Sequence, residues 1–440
     1  MTSYLQNMLK GGGNILILQY TSISNLLLLP KNVRVGEEHT SLVIEILDSH
    51  KVFKQLFELE QGIQPILASL EEKGIVVSKK WFEKGVEEKT TQSKELVDEI
   101  NHYINGVGKG VNQNLLNEFW KKNDLPIART FEELSTYKRL HPTYQLMLQH
   151  KKHARFLKQW GSSNLIHKGT QLANGDVKIT GRWQSFSSYT GRITAKQLPL
   201  TSIPRAMRDY IVAPASTQLF SLDLSNAELR FLAYFAKCDS LLEQFNKGCD
   251  VHLETSKLLQ SQVTNLQVDN ETMRELAKAF TFSQLYGASL SRITENLRKE
   301  CNVINLSDVR IMTAVLDQTY PELIKFLDKQ GEGERLLTAF GQVNPVVLLR
   351  KNQKRNFTMQ SSVSIAIKIL ILILAKRSIN VVHIIHDEVW IEISNDVDLE
   401  DLIVKVTSEF ELEMDTIFKD FPTPGFLKIK KLGGKTDGQK

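Results

Sequence analysis

Cysteine is scarce in this chain of 440 residues, which has only Cys238, Cys249 and Cys301. None of the three forms the close pair of a structural metal site, and they read as reduced structural thiols in a reducing compartment. The N-terminus, Met1-Thr2-Ser3-Tyr4, lacks the basic stretch and apolar core of a secretory signal. No hydrophobic run is long enough for a membrane span. The most apolar stretch, Val363 to Ala375, is thirteen residues long, contains Lys368, and reads as a buried helix. Internal repeats and long low-complexity tracts are also missing. At 42% hydrophobic and 24% charged residues the composition is that of an ordinary soluble globular protein, long enough for two or three subdomains. The net charge of +5 suits a polyanionic partner without requiring one.

Along the chain, Gly11-Gly12-Gly13 breaks the start and Asn14 to Leu29 is apolar enough for strands. From Ser41 the spacing of Ile44, Leu47, Phe53 and Leu56 is helical. Gly62 and Pro65 predict two helices rather than one, the second ending at Lys73 before Gly74. Charged helices follow from Lys79 to about Ile104 and through Leu115 to Trp120. Another, Tyr144 to Trp160, carries Lys151, Lys152, Arg155 and Lys158. That basic run is equally a solvated face or a phosphate-tracking face. Val177 to Ile193 partly alternates and reads as strands, and Gln218 to Leu224 as a short strand ending near Asp223. Helical patterns run from Ala227 through Phe326. Phe340-Gly341 and Asn344-Pro345 are turn signals, a long helix is expected over Gln353 to Arg377, and Val381 to Ile393 reads as a hairpin.

Two carboxylate segments stand far apart on this framework. One is Asp223-Leu224-Ser225-Asn226-Ala227-Glu228-Leu229-Arg230; the other is His386-Asp387-Glu388, near the hairpin turn. Alone, Asp223 would be a helix cap and Asp387 a turn residue. Together they can supply the oxygen ligands that hard divalent cations need. Between them, Arg274, Lys278, Phe282 and Tyr286 recur every four residues, on one drifting helix stripe. Two cations followed by two aromatics suit a triphosphate and its base and sugar. A solvated amphipathic helix would explain the cations but not the aromatics beside them.

At these residues the chain resembles the polymerase portion of family A DNA polymerases, the DNA polymerase I type. The family's D-Y-S-x-x-E-L-R segment is similar to Asp223 through Arg230. Its R-x3-K-x3-F-x3-Y-G is matched by Arg274, Lys278, Phe282, Tyr286 and Gly287, and its H-D-E by His386-Asp387-Glu388. Thr190-Gly191-Arg192, Asp250 to Thr255, and Asn356 with Gln360 resemble further family segments. Order and spacing agree from about Gly62 to the C-terminus.

The resemblance implies an α+β right-hand fold without an exonuclease domain. Residues 62–172 would be the thumb, 173–245 and 340–440 the two parts of the palm, and 246–339 the fingers. Residues 1–61 are left without an assigned role, as an exonuclease-domain remnant or a docking element. Asp223, Asp387 and the Leu224 carbonyl would hold two Mg2+ ions, with Mn2+ able to substitute, and Glu388 would support that site. Arg274, Lys278 and His252 would bind the triphosphate, and Lys278 would also protonate pyrophosphate. Phe282 would stack on the incoming dNTP, while Glu228 with Tyr286 would crowd a ribose 2′-hydroxyl. Arg192, Asn356, Gln360 and His386 would contact primer–template DNA. The expected protein is a monomer off the membrane, in the cytoplasm with the nucleoid or in another reducing compartment that contains DNA, with room for a processivity or replication partner.

Departures from the family pattern are Leu224 for Tyr, Glu275 beside Arg274, Ser283 for Gly, and Pro199 and Thr201 where Asn and Gln are usual. Met1 to Gln61 is too short for the family's 3′–5′ exonuclease domain and has no D-x-E segment, so neither proofreading nor 5′ nuclease activity is expected. Two rivals stand beside a replicative or repair polymerase. One is a translesion, end-joining or reverse-transcribing relative; the other is a catalytically silent DNA-binding module.

Overall fold

The computed structural model describes residues 51–161, 169–196, 200–203, 205–263, 266, 268–301, 303–333, 335–343 and 349–432. The apolar segment 14–29, the helical pattern before residue 51, Pro199 and the Asn344-Pro345 turn lie outside the described residues. The chain divides into two compact units. Among the described residues, one contains those from Lys51 to Val76, those within Thr180–Val251 and those from Tyr320 to Leu432; the other contains those within Val77–Ile179 and His252–Thr319. Residues 62–76 and 320–339, expected in the thumb and the fingers, thus fall in the same unit as residues 180–245 and 340 onward, expected in the palm.

The first unit is built on a four-stranded antiparallel sheet. Its strands are β1 (Thr217–Leu224), β2 (Asn380–Ile385), β3 (Glu388–Ser394) and β4 (Leu427–Leu432), in the spatial order β2-β3-β1-β4. Strand β1 is central and buried on both faces from Leu219 to Leu222, so it reads as a near-continuous apolar run. Among the helices packed in this unit are α1 (Lys51–Lys73), α2 (Ala227–Ala236) and α3 (Lys351–Lys376). Helix α3 is long and apolar enough to cross a membrane by length and composition, but 89% of its most apolar window is buried inside the protein. That matches the buried helix expected from its lysine-interrupted run. Phe231 of α2 lies 5.1, 4.7 and 6.1 Å from the rings of Phe418, Phe421 and Phe426, closing the core near the end of the chain.

The two helices expected around Gly62 and Pro65 are in fact the single 23-residue helix α1. Pro65 lies on the exposed side of that helix. On the opposite side Leu59, Ile63, Leu67 and Leu70 are almost fully buried. Tertiary burial of that face outweighs the local helix-breaking cost.

In the second unit the helices Lys79–Ile104 and Pro142–Trp160 pack together. Trp120 stacks on Tyr144 at 4.7 Å and donates its indole N–H to Thr143 Oγ1 at 2.9 Å, so a buried polar edge is satisfied. Lys152, Arg155 and Lys158 are exposed on the Pro142–Trp160 helix. The helices Asn270–Leu285, Leu290–Leu297 and Leu306–Thr319 belong to the same unit. Glu132 joins its two sequence segments through Arg292 at 2.6 Å and Lys299 at 3.4 Å.

Candidate active site

Strand β1 delivers Asp223 one residue before its end, with Glu388 of β3 and Lys428 of β4 directly opposite in register. The β2–β3 hairpin closes through His386 and Asp387, with Ile385 paired to Glu388. His386 takes a left-handed backbone, φ 52°, which lets the two-residue turn close. The amide of Leu224 donates to the carbonyl of Asp387 at 3.1 Å. This bond brings two acidic residues 164 positions apart in sequence to one end of the sheet's strands.

Both carboxylates are electrostatically costly there. Burial, followed by the charges of Asp387 and Glu388, pushes Asp223 up to about 6, against the opposing pull of Lys430 and Lys428. Asp387 is also raised, chiefly by burial. Its own amide pulls it back, and Glu228 adds to the raise. A like-charged pair of this kind is suited to a hard divalent cation. Among the described residues no group of three or more His, Cys, Asp or Glu side chains could hold a metal ion.

Glu388 occupies a different environment. Arg208 donates to it twice, at 3.1 and 2.9 Å, Ser221 Oγ at 2.5 Å and Trp390 Nε1 at 2.8 Å. Its oxygens are engaged by four donors, so its support of the site is to lock β3 to β1 and to Arg208. Sequence reasoning missed Arg208, Ser221 and Trp390 as partners. Arg208 is 180 positions from Glu388 and carries no local signal.

Arg192, Glu228, His386 and Asp387 line one cavity of about 240 Å³, together with Ser364 and the apolar Ile193, Val363 and Ile367. Arg192 pairs with Glu228 at 3.2 Å. Asn356 and Gln360 stand on α3 two turns and one turn before Ser364, on the same drifting stripe. Asn356 is buried, and its Oδ1 has no protein partner.

The cation–aromatic stripe is on the helix Asn270–Leu285, capped by Asp269, which accepts from the Thr272 amide. Met273, Leu276, Ala277, Phe280, Thr281 and Leu285 form its buried face. Lys278 is exposed, and Arg274, Phe282 and Tyr286 are partly so. The stripe is thus the accessible face. His252 is buried, its ring 5.7 Å from that of Phe282. Arg274 bonds its neighbour Glu275 at 2.9 Å, so the departure at Glu275 partly neutralises the first cation.

Comparison with known proteins agrees with this architecture. The model of DNA polymerase family A matches residues 112–419. DNA polymerase I of Helicobacter pylori is 25% identical over 288 residues, 62% of this chain and 30% of that protein. DNA polymerase I of Bacillus caldotenax is 30% identical over 269 residues, 56% of this chain and 30% of that protein. The chain thus spans about a third of the length of these curated relatives. Among solved structures, the POL domain of Pol1 from M. smegmatis, in complex with DNA primer-template and dNTP, aligns with a TM-score of 0.71. It has 18% identity, and the alignment covers 90% of this chain and 73% of that one.

Proposed function

The chain belongs to DNA polymerase family A, and on that premise we propose that it is a template-directed DNA polymerase that extends a primer 3′-hydroxyl with dNTPs, by a two-metal mechanism and without proofreading. The observation that supports the reading is the Leu224–Asp387 bond, which brings Asp223 within electrostatic reach of Asp387 at the end of the strands, where Asp387 lines a cavity with Arg192, Glu228 and His386.

Asp223, Asp387 and the Leu224 carbonyl would hold two Mg2+ ions, which would supply Lewis-acid activation of the primer hydroxyl and charge neutralisation at the departing pyrophosphate. Arg274 and Lys278 bind the triphosphate as fixed charges on one helix face, and Lys278 delivers a proton to pyrophosphate. Phe282 stacks on the incoming base. Glu228 narrows the cavity beside the sugar, where a 2′-hydroxyl would meet a charged carboxylate. Arg192, His386, Asn356 and Gln360 hold the primer–template. The rate advantage comes from orientation and charge compensation, as in phosphoryl transfer generally.

The test is primer extension with Mg2+ and all four dNTPs, comparing wild type with Asp387→Ala. Extension by wild type that disappears in the variant supports the proposal. Tight primer–template binding without extension by wild type overturns it in favour of a silent binding module. Degradation of a mismatched primer end by the pure chain overturns the absence of proofreading.

A further inference from the structure

A buried ion pair lies behind the cavity wall. Lys368 of α3 and Glu60 of α1 are 1% and 0% exposed at the side chain and bond to each other directly. The Lys368 ammonium has three protons, and the structure provides three acceptors. They are Glu60 Oε1, the carbonyl of Gly191 at 2.6 Å, and the face of Phe186, whose ring centroid is 4.7 Å away. Glu60 Oε2 accepts in turn from Ser185 Oγ. Ser364, one turn before Lys368, donates to the same Gly191 carbonyl at 2.6 Å and also lines the cavity.

Burying such a pair is poor economy for stability alone, because desolvation cancels most of the attraction. Its geometry is specific instead. Two donors from α3 converge on one main-chain oxygen, and the next residue along is Arg192, which reaches the cavity and meets Glu228. Gly191 has φ +78°, and a Cβ there would come 3.0 Å from Phe186 and 3.3 Å from the Lys368 nitrogen. No side chain fits between the tether and the loop.

We propose that Glu60 and Lys368 are positioning residues that hold the Thr190-Gly191-Arg192 turn, and through it set Arg192 for primer–template contact. The catalytic role of that turn rests on the polymerase reading above; the tether itself does not. Helix α1 thus has a function in the site, because it supplies the carboxylate that pairs with the Lys368 ammonium and aims it at Gly191.

The experiment compares wild type with Glu60→Gln/Lys368→Met, which removes both charges with little change in volume. Two readouts are taken, with thermal melting as the check on folding. Hydrogen exchange of amides 187–193 in the free protein should accelerate at least tenfold while the strands of the sheet stay protected. In primer extension, Arg192→Ala should raise the KM for DNA at least tenfold in wild type and less than threefold in the double variant. Ser364→Ala should give a smaller acceleration of the same amides and guards against a double variant that fails to fold. Unchanged exchange in both variants overturns the tether. Equal Arg192→Ala effects in both backgrounds overturn its role in setting Arg192. Absence of extension by wild type sinks the polymerase reading, while the exchange measurement still decides the tether.

Discussion

The Leu224 amide donates to the Asp387 carbonyl at 3.1 Å, and through that one bond the end of the central strand and the tip of a distant hairpin share a site. Each acid's own element follows from its neighbours in sequence, but their meeting comes from the antiparallel pairing of β1 with β3, which sets Asp223 opposite Glu388.

Removing either acid should abolish extension yet spare the fold. Asp387→Ala and Asp223→Asn should lose on the order of 10^3-fold or more in kcat. Each deletes a charge that the folded state holds at a cost, so melting in metal-free buffer should be unchanged or slightly higher. A clear loss of thermal stability would show that the pair serves the fold instead.

Metal binding and pH should be linked through Asp223. Its ordinary value of 3.8 is raised to about 6 in the folded chain. In metal-free protein its contribution to stability is therefore full below about 4 and is lost as pH rises through about 6. Bound Mg2+ offsets that loss by stabilising the ionised form. The increase in Tm on adding Mg2+ should be larger at pH 8 than at pH 5, and Asp223→Asn should flatten the difference. An increase independent of pH in the wild type would contradict this.

Arg208 should matter for stability out of proportion to its partial exposure. It gives two hydrogen bonds to Glu388, whose side chain is 11% exposed, and Arg208→Ala would leave that carboxylate without its counter-charge. Urea unfolding should show a loss of about 1–3 kcal/mol. A change below about 0.5 kcal/mol, the range of a surface pair, would mean that Ser221 and Trp390 suffice.

Phe282 should make dideoxynucleotides poor substrates, because it has no hydroxyl to stand in for a missing 3′-OH. Phe282→Tyr should raise ddNTP incorporation relative to dNTP by roughly 10–100-fold, the worth of one hydrogen bond to a charged group. Competitive incorporation assays give the ratio directly, and equal use of both nucleotides by the wild type would refute the reading.

Much of the first unit was legible in the sequence. The strand before Asp223, the long helix over residues 353–377 and the hairpin around Asp387 each follow from local patterning, and each forms within a few residues of its expected bounds. The break at Gly62 and Pro65 did not survive, because burial of Leu59, Ile63, Leu67 and Leu70 stabilises one continuous helix. Lys368 was visible only as an interruption in an apolar run. Its partner Glu60 is 308 residues away, and no periodicity connects the two.

By itself the sequence determined which chemistry the chain carries. Acids at strand and turn positions, cations and aromatics at four-residue spacing, and apolar runs of helix or strand length are local properties, and local sterics and hydrophobic period decide them. Tertiary structure alone decided which of those groups meet. It joined Leu224 to Asp387, placed four donors around Glu388, and buried Glu60 against Lys368 beneath Gly191. Such meetings depend on sheet register and helix packing, in which most buried polar groups find a partner once water is excluded.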